Sequence, residues 1–397
     1  MRRGDTPGDE STLAHASSSP GDARAGRYLR HALIDWFPQE RVRSARIAVI
    51  GAGAVGNELV KNLVLLGAGA IDVFDFDRVE LHNLTRSIFL RESDVGAAKA
   101  TVVAGRASEV DPAVAIRGFE GDFRDRLSLS ALSRYDCAVA AVDNFEARVR
   151  LSEMCRLAGV DLVSAGIDSR HATVETYPFR SHPDGACYEC HLPESAYQRI
   201  AERYSCGGLR RAAASERLVP TTAITASVAG ALAASAALRL SPVDEHAARR
   251  VFFDTVSGAG STVSLARNPE CVGCSSLHPL PRVVRARNLW RPALDVAPAD
   301  DVAVRLSDPV LVDCECASCG DRSAAERYAL RRARDFDDRI TVCTACQRPA
   351  VRVEIRDEFT PAELAHLFQD RPLPASYALV RHASGRLCID LEEDHGQ

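Results

Sequence analysis

The chain has 397 residues, of which 46% are hydrophobic and 26% are charged, and its formal net charge at pH 7 is -5. These values are typical of a folded globular protein with two or three domains. The negative net charge argues against non-specific nucleic-acid binding, which needs a basic surface. The N-terminus shows no apolar segment of a secretory signal, so we expect a cytoplasmic protein.

The elements follow a βα pattern from near the N-terminus. Residues 1–25 are polar and lack hydrophobic periodicity, so they are predicted to form a disordered tail. Up to about residue 140, helical patterns then separate four apolar strands, RIAVIG, GAIDVFDFD, AVAIRGFEG and DCAVAAVDN. This alternation predicts a Rossmann-like, doubly wound α/β fold, with a mostly parallel sheet and helices on both faces. The strands DLVSAGID and ATVETYPF follow, and RRVFFDTVSGAGSTVSLAR is predicted to form a hairpin.

One uncharged stretch, Leu218 to Leu238, is about as long as a membrane span. It is built mainly from Ala, Thr, Ser and Gly, which favours a buried helix, and no membrane association is expected. Beyond it, a Pro- and Arg-rich connector (HPLPRVVRARNLWRPALDVAPAD) predicts a domain boundary at about residue 282. Residues 283–397 are predicted to form a small α+β domain that ends in a strand pair, ASYALVRHASGRLCIDL.

The sequence GAGAVG after the first strand is a nucleotide-binding fingerprint. Gly51 permits the tight turn, Gly53 lets the backbone approach a phosphate, and Gly56 lets the helix pack closely on the strand. Asp75, at the end of the second strand, is placed to accept hydrogen bonds from ribose hydroxyls. The glycines alone do not distinguish NAD, FAD and ATP.

Residues beyond the fingerprint favour a triphosphate. Asn83 and Arg86 follow the second strand, and Lys99 begins the next helix. Two cations and an amide are suited to a triphosphate, whereas a pyrophosphate is already bound by backbone N–H groups. Asp143 ends the fourth strand, where a carboxylate suits Mg²⁺. Plainer alternatives exist, since Asp143 could cap the following helix and Arg86 could be a surface charge.

Taken together, GAGAVGNELVKNL, DFDRVELHNLTRS, AAKA and DNFEAR resemble the ThiF/MoeB superfamily, the adenylyltransferases related to ubiquitin-activating enzymes. The similarity extends from about residue 26 to residue 280, through CYECHLPES and NPECVGC. It departs from the family at Ser87, where the family has Gln, and at GAAK, where the usual sequence is GKPK. Lys99 is nevertheless kept in a chain that has only one other lysine, Lys61.

The resemblance implies ATP as substrate and a role for each matching residue. Asp75 would bind the ribose, Asn83, Arg86 and Lys99 the phosphates, and Asp143 the Mg²⁺ ion. Arg30, in RYLRH, would act as an arginine finger, often in the partner subunit's site, so a homodimer is expected. A carboxylate would attack the α-phosphorus of ATP and expel pyrophosphate, with catalysis by positioning and electrostatics. The implied substrate is the C-terminal Gly carboxylate of a ubiquitin-like or sulfur-carrier protein.

Most of the thirteen cysteines fall into CxxC pairs. The spacing of four of them suits a closed structural zinc site, and the resemblance implies the same four ligands: Cys187, Cys190, Cys271, Cys274. Four more have zinc-ribbon spacing, with Cys314 left over or as a substitute ligand: Cys316, Cys319, Cys343, Cys346. Cys137, Cys155 and Cys388 are expected to be buried core residues.

Cys206 lies in ERYSCGGLRR, where nearby arginines would favour the thiolate. By resemblance, this loop carries the nucleophile that receives the acyl group as a thioester, although MoeB-like enzymes have a cysteine here without needing it. We therefore expect ATP-dependent activation of a ubiquitin-like protein, transfer to Cys206, and hand-over to a conjugating enzyme that docks on the C-terminal domain. The resemblance also suggests a setting in bacterial antiviral defence. The alternatives are a sulfur-carrier adenylyltransferase, a non-catalytic nucleotide-fold scaffold and, last, an NAD-dependent oxidoreductase.

Overall fold

The structure is a computed structural model of the chain. It describes residues 26–203, 220–239, 247–286, 302–336, 340, 342–369, 371–382 and 385–391. The predicted N-terminal tail and Cys206 lie outside the described residues.

The first β-sheet has eight strands. In chain order they are Arg46–Ile50 (β1), Ala70–Asp75 (β2), Ala115–Glu120 (β3), Cys137–Ala140 (β4), Asp161–Ile167 (β5), His171–Tyr177 (β6), Arg249–Asp254 (β7) and Gly260–Ser264 (β8). Their spatial order is β3-β2-β1-β4-β5-β6-β7-β8. The first five strands pair in parallel, and the last three pair antiparallel. The predicted mostly parallel α/β sheet is confirmed.

Helices cover both faces of this sheet. The described helices are Gln39–Ser44 (α1), Ala54–Leu66 (α2), Lys99–Val110 (α3), Phe123–Arg126 (α4), Leu129–Leu132 (α5), Phe145–Ala158 (α6), Glu194–Arg203 (α7), Ala223–Ala237 (α8), Val272–Ser276 (α9), Ser323–Tyr328 (α10) and Pro361–Phe368 (α11). One hydrophobic cluster joins α2, α3 and α8 to the sheet, and another joins α6 to its opposite face. Alternate residues of β1 belong to different clusters. Ile47 and Val49 pack in the cluster with α2, α3 and α8, and Ala48 and Ile50 pack in the cluster with α6. The apolar stretch predicted to be a buried helix is α8.

The second sheet belongs to the C-terminal region. Its strands are Arg282–Ala286 (β9), Ala303–Cys316 (β10), Val351–Phe359 (β11), Tyr377–His382 (β12) and Gly385–Leu391 (β13), in the spatial order β11-β10-β12-β13-β9. The predicted terminal strand pair is the antiparallel pair β12–β13. Unexpectedly, part of the predicted connector forms β9, which pairs in parallel with β13. We call the part built on this sheet the C-terminal lobe and the part built on the first sheet the N-terminal lobe.

Buried polar contacts join the two lobes. Asp390 of β13 is fully buried and accepts hydrogen bonds from the backbone N–H groups of Leu129 and Ser130, at 3.1 and 2.9 Å. Tyr377 of β12 donates a hydrogen bond to Glu153 of α6 over 2.7 Å. Tyr377 also packs in the same hydrophobic cluster as α6. The C-terminal lobe therefore shares part of the core of the N-terminal lobe.

Candidate active site and cysteine clusters

The turn between β1 and α2 requires glycine at two positions. Gly51 has φ +103°, and a Cβ atom there would lie 2.6 Å from the carbonyl oxygen of Ala141. A Cβ atom at Gly56 would lie 2.0 Å from the carbonyl oxygen of Gly51. Only glycine fits these contacts, so the turn can bring its backbone close to a ligand. Gly53 faces open space at the start of α2, where a helix N-terminus favours an anion.

Asn57 fixes the shape of this turn. Its side-chain nitrogen donates to the carbonyl oxygen of Ala52 over 2.7 Å, and its side-chain oxygen accepts from the backbone N–H of Phe89 over 3.0 Å. The glycine turn is thereby tied to the segment that follows β2. Asn57 is fully buried, so these bonds are protected from water.

Asp75 ends β2 beside the glycine turn. Its carboxylate accepts hydrogen bonds from the backbone N–H groups of Ala52, at 2.6 Å, and Asp77, at 2.7 Å. Burial raises the pKa of Asp75 above its usual value, although these two hydrogen bonds act in the opposite direction. The half-buried carboxylate is held in one orientation at the carboxyl edge of the sheet, and its binding of a ribose stays a prediction.

Lys99 begins α3 at the same edge. Its side chain is only 10% exposed, and its Nζ lies 2.8 Å from a carboxylate oxygen of Asp77. Asp77 is half exposed, so an incoming phosphate could replace it as the partner of the ammonium group. Sequence reasoning missed Asp77. The DxD spacing after an apolar strand was the available signal.

Asn83 lies in a 3-10 turn, Leu81–Thr85, just beyond Asp75, and Arg86 directly follows this turn. The side-chain oxygen of Asn83 accepts from the backbone N–H of Glu80 over 2.9 Å and closes this turn. Arg86 donates to the carbonyl oxygen of His82 over 2.6 Å. Both residues therefore lie in the segment that Asn57 ties to the glycine turn, and their binding of phosphate stays a prediction.

Asp143 is exposed and directly precedes the N-cap of α6. The helix is capped by the next residue, Asn144, whose side-chain oxygen accepts from the backbone N–H of Ala147 over 2.8 Å. Since the cap is Asn144, the carboxylate of Asp143 is not used as the helix cap, and it accepts a long hydrogen bond of 3.5 Å from the side-chain amide of Asn144. The strand β4 ends at Ala140, so Asp143 lies in the loop just beyond it and does not end the strand as predicted. A carboxylate in this loop fits Mg²⁺, which prefers oxygen ligands.

Arg148, the last residue of DNFEAR, is another residue to which the sequence assigned no role. It is buried and donates to Ser164 over 2.6 Å and to the carbonyl oxygen of Ala165 over 2.7 Å. It also donates to the carbonyl oxygen of Val142. The guanidinium thus ties the ends of β4 and β5 together behind Asp143.

Arg30 is the one candidate residue of the described part of the chain that the structure places elsewhere. Tyr28, two residues earlier, donates to Asp111 over 2.6 Å, directly after the last residue of α3. A helix of this length spans roughly 18 Å, so Tyr28 lies at the end of α3 far from Lys99. The exposed Arg30 is therefore not brought to the candidate site of its own chain.

The first cysteine cluster brings together two CxxC pairs that are distant in sequence. The four Sγ atoms of Cys187, Cys190, Cys271 and Cys274 are buried and lie within 4.8 Å of one another. Individual Sγ–Sγ distances are 3.4 to 3.9 Å. Tetrahedral zinc with Zn–S bonds of about 2.3 Å requires edges of about 3.8 Å, so these thiols fit a structural zinc ion.

A buried arginine adjoins this cluster. The side chain of Arg156 is 1% exposed, and one of its nitrogens donates to Cys274 Sγ over 3.2 Å. Its Nε and Nη2 atoms are buried without a hydrogen-bond partner, although Nη2 lies 3.7 Å from Asp184. A guanidinium in this position needs negative charge nearby, and four zinc-bound thiolates would supply it.

The second cluster consists of Cys316, Cys319, Cys343 and Cys346, whose Sγ atoms also lie within 4.8 Å of one another. Two of the Sγ–Sγ distances are 3.7 Å. Cys319 is exposed and Cys346 half-buried, so this second possible zinc site lies near the surface. Cys314 is outside the group and is buried in a small hydrophobic cluster beside it. Cys137, Cys155 and Cys388 are buried, as predicted.

Comparison with known proteins assigns the chain to a family. The model of the ThiF family matches residues 26–273, so the chain belongs to the ThiF family. This confirms the resemblance to the ThiF/MoeB superfamily.

Two relatives show the range of names that similar proteins carry. The SAMP-activating enzyme E1 of Haloferax volcanii is 29% identical over 254 residues, which are 62% of this chain and 88% of that protein. The sulfur carrier protein adenylyltransferase of Thermus thermophilus is 28% identical over 250 residues, 59% of this chain and 84% of that protein. Among solved structures, Escherichia coli MccB with ATP has the same fold, with a TM-score of 0.50 at 22% identity, covering 64% of this chain and 76% of that one.

Among the described residues, no helix is long and apolar enough to cross a membrane.

Proposed function

We propose that this chain uses Mg-ATP to adenylate the C-terminal Gly carboxylate of a ubiquitin-like protein and then accepts the acyl group on Cys206 as a thioester. A conjugating enzyme would take it from there, in a homodimeric bacterial system that by resemblance serves antiviral defence. The observation that carries the adenylation step is the nearly buried Lys99 at the strand edge that also presents Asp75 and Asp143. Adenylation is also the activity that the names of the relatives support.

The residues of the site would share the work of binding ATP. Asp75 would accept the ribose hydroxyls, and the backbone around Gly53 would face the phosphates. Lys99, Arg86 and Asn83 would bind the phosphate oxygens. Asp143 would hold the Mg²⁺ ion, which supplies charge neutralisation and orientation of the phosphates when bound.

The chemical step has an electrostatic barrier. The substrate carboxylate attacks the α-phosphorus, a P–O bond forms to the carboxylate oxygen, and pyrophosphate leaves with the electron pair. Two anions must approach each other, so cations at fixed positions lower the barrier without a protein general base. Lys99 suits this task because few reorienting waters compete for its nearly buried ammonium group.

Arg30 would serve the site of the second subunit. It lies at the far end of α3 from Lys99, so the proposed arginine finger requires a partner chain that brings Arg30 to the other active site. This supports the homodimer of the proposal.

A sulfur-carrier adenylyltransferase is the second candidate. The Thermus thermophilus relative with that function in its name is nearly as similar to this chain as the Haloferax volcanii activating enzyme. Both candidates share the adenylation step and differ in whether the acyl group then moves to Cys206. A non-catalytic scaffold is disfavoured because the chain keeps Arg86, Lys99 and Asp143, the charged residues proposed to bind the phosphates and Mg²⁺.

The test is intact mass spectrometry after incubation with ATP, Mg²⁺ and a ubiquitin-like protein encoded in the same genome, with and without thiol reductant. A thiol-labile adduct that is absent in Cys206→Ala would support thioester transfer, whereas pyrophosphate release without an adduct would favour sulfur-carrier activation. No pyrophosphate release would contradict adenylation.

The two lysines of the chain provide a matched pair of variants for the same assay. We expect Lys99→Met to lose pyrophosphate release by about 100-fold or more, the scale of losing one preorganised charged group. Lys61→Met should keep it, because Lys61 pairs with Glu58 on α2, away from the strand edge. Equal activity of the two variants would contradict the role of Lys99.

A further inference from the structure

The C-terminal lobe inserts one buried arginine among carboxylates of both lobes. The side chain of Arg334 is 5% exposed. Its Nε lies 2.7 Å from Asp308 of the C-terminal lobe, and its Nη atoms lie 3.3 Å from Asp122 and 2.5 Å from Asp125 of the N-terminal lobe. Arg332 forms a further ion pair with Asp125. A guanidinium bound to three carboxylates constrains the relative position of all three.

Of the two N-terminal-lobe carboxylates, Asp122 belongs to the turn that directly follows β3, and Asp125 belongs to the short helix α4 that continues from this turn. This turn begins at Gly121, whose backbone N–H donates to the carbonyl oxygen of Asp75, the proposed ribose ligand, over 3.2 Å. Asp122 caps α4 by accepting from the backbone N–H of Arg124 over 2.9 Å. Arg334 is thus separated from Asp75 by one short turn and one hydrogen bond.

The same contacts extend to the other side of the candidate site. The guanidinium of Arg124 pairs with Asp122 over 2.6 Å and with Glu146 over 2.8 Å. Glu146 lies in the first turn of α6, three residues after Asp143. Because β2 and β1 lie between β3 and β4 in the sheet, Arg124 joins the two sides of the strand edge where the nucleotide would bind.

Two cysteines of the second cluster flank the segment that carries Arg334. This segment lies between Cys319 and Cys343, whose Sγ atoms are 3.7 Å apart. It is joined to β10 by two backbone hydrogen bonds, from Leu311 N–H to Arg331 and from Leu330 N–H to Leu311, at 3.0 and 2.7 Å. A metal ion on the cluster would close both ends of this loop and limit its movement.

We propose that Arg334 is a positioning residue for ATP binding and that zinc on the second cysteine cluster keeps it in place. Through Asp122 and Asp125 it fixes the turn after β3, and through Arg124 it fixes the start of α6. ATP affinity is thereby coupled to the C-terminal lobe, although the residues proposed above to bind ATP belong to the N-terminal lobe. This inference rests on the ATP-binding function proposed above.

The test is calorimetric titration of the full-length, zinc-loaded protein with Mg-ATP in the absence of a carrier protein. We expect Arg334→Ala to raise the Kd for ATP about tenfold, within the usual range of coupling between linked sites. Arg334→Lys should recover part of the loss, because an ammonium group can pair with one or two of the three carboxylates. Arg381→Ala is the control, since Arg381 pairs with Glu358 in the C-terminal lobe and is 61% exposed.

Further measurements separate positioning from general loss of stability. Turnover with a carrier protein should show a higher KM for ATP at unchanged kcat, as expected when an interaction equal in ground and transition states is lost. Hydrogen exchange should increase at residues 121–126 and 145–150. Should Arg334→Ala fail to fold, Asp125→Asn removes one carboxylate from a partly exposed position, and the same rise in Kd, of smaller size, is expected.

The zinc part has its own readout. Cys346→Ser should lower the zinc content from two ions per chain to one and raise the Kd for ATP in the same direction as Arg334→Ala. Loss of the ion with unchanged ATP binding would overturn the zinc part.

The outcomes also distinguish this inference from the proposed function. If the wild type binds ATP and Arg334→Ala binds it as tightly as Arg381→Ala, the inference is wrong and the proposed function stands. If the wild type binds ATP but releases no pyrophosphate with a carrier, adenylation is wrong and the positioning role still stands on the Kd values. If the wild type binds no ATP, both are wrong.

Discussion

The two cysteine clusters have the same CxxC spacing but very different surroundings. All four cysteines of the first cluster are buried in the hydrophobic cluster that also contains α6 and reaches into the C-terminal sheet. The second cluster has an exposed member, Cys319, and supports only a small core of its own, built around β10 and the start of β11. Ligand spacing therefore predicts a metal site but not how much of the fold depends on the metal.

The largest expected difference is in stability. Cys274→Ser should prevent stable folding, because structural zinc contributes about 10 kcal/mol or more and a domain has only about 5–15 kcal/mol in total. Cys346→Ser should leave the N-terminal lobe folded, since its cluster lies at the edge of the C-terminal lobe. Urea unfolding followed by circular dichroism measures both variants.

The control for this comparison is Cys155→Ala, which removes a buried thiol outside both clusters and should cost about 1–2 kcal/mol. A Cys274→Ser protein as stable as Cys155→Ala would show that the first cluster is not a structural metal site.

A smaller difference is expected in metal affinity. Arg156→Gln removes the buried cation next to Cys274 and should weaken zinc binding at the first cluster by about 10-fold, the scale of an outer-shell change. Arg322→Gln, which removes an exposed arginine paired with Asp313 near the second cluster, should not change zinc binding there. Competition with a coloured chelator measures both, and equal affinities of Arg156→Gln and the wild type would contradict the charge argument.

The smallest effect concerns pH and the contacts between the lobes. Burial raises the pKa of Asp122 and of Asp125, but Arg124 and the arginines of the C-terminal lobe outweigh it, so both pKa values lie below the usual range. A carboxylate with a depressed pKa stabilises the fold above its unfolded-state pKa of about 3.9 and loses this contribution as the pH falls through the folded value. The contribution should therefore persist down to about pH 4 and then disappear.

We expect each of these pairs to contribute about 1 kcal/mol or less, because the carboxylates are partly exposed. The urea midpoint between pH 6 and pH 3 measures the effect. Arg334→Ala lacks a cation that depresses both pKa values, so it should lose less stability than the wild type between pH 6 and pH 3. Equal losses in the two proteins would contradict this assignment of charges.

The sequence was sufficient to predict the parts of the molecule that have local patterns. The βα alternation predicted β1 to β5 because buried parallel strands read as apolar runs, and the CxxC spacing identified both clusters. The glycine positions followed from a turn whose geometry excludes side chains, as the contacts of Gly51 and Gly56 show.

The parts that the sequence did not predict depend on distant residues. The strand β9 pairs with β13, which is about a hundred positions further along the chain, and no local pattern reports such a partner. Likewise, Asp77, Arg148 and Arg334 acquire their roles from ion pairs and hydrogen bonds that form only after folding. The residue type alone does not distinguish an arginine that becomes buried from one that stays exposed.

The strand β9 also limits how the chain can be divided. It follows the helix α9, which is capped by Cys271 and carries Cys274, yet it is an edge strand of the C-terminal sheet. A chimera made by cutting the chain after residue 286 would separate the C-terminal sheet from its edge strand β9. A cut before Arg282 would transfer the complete sheet. Recombination between related genes would meet the same constraint, so β9 is expected to be inherited with the C-terminal sheet.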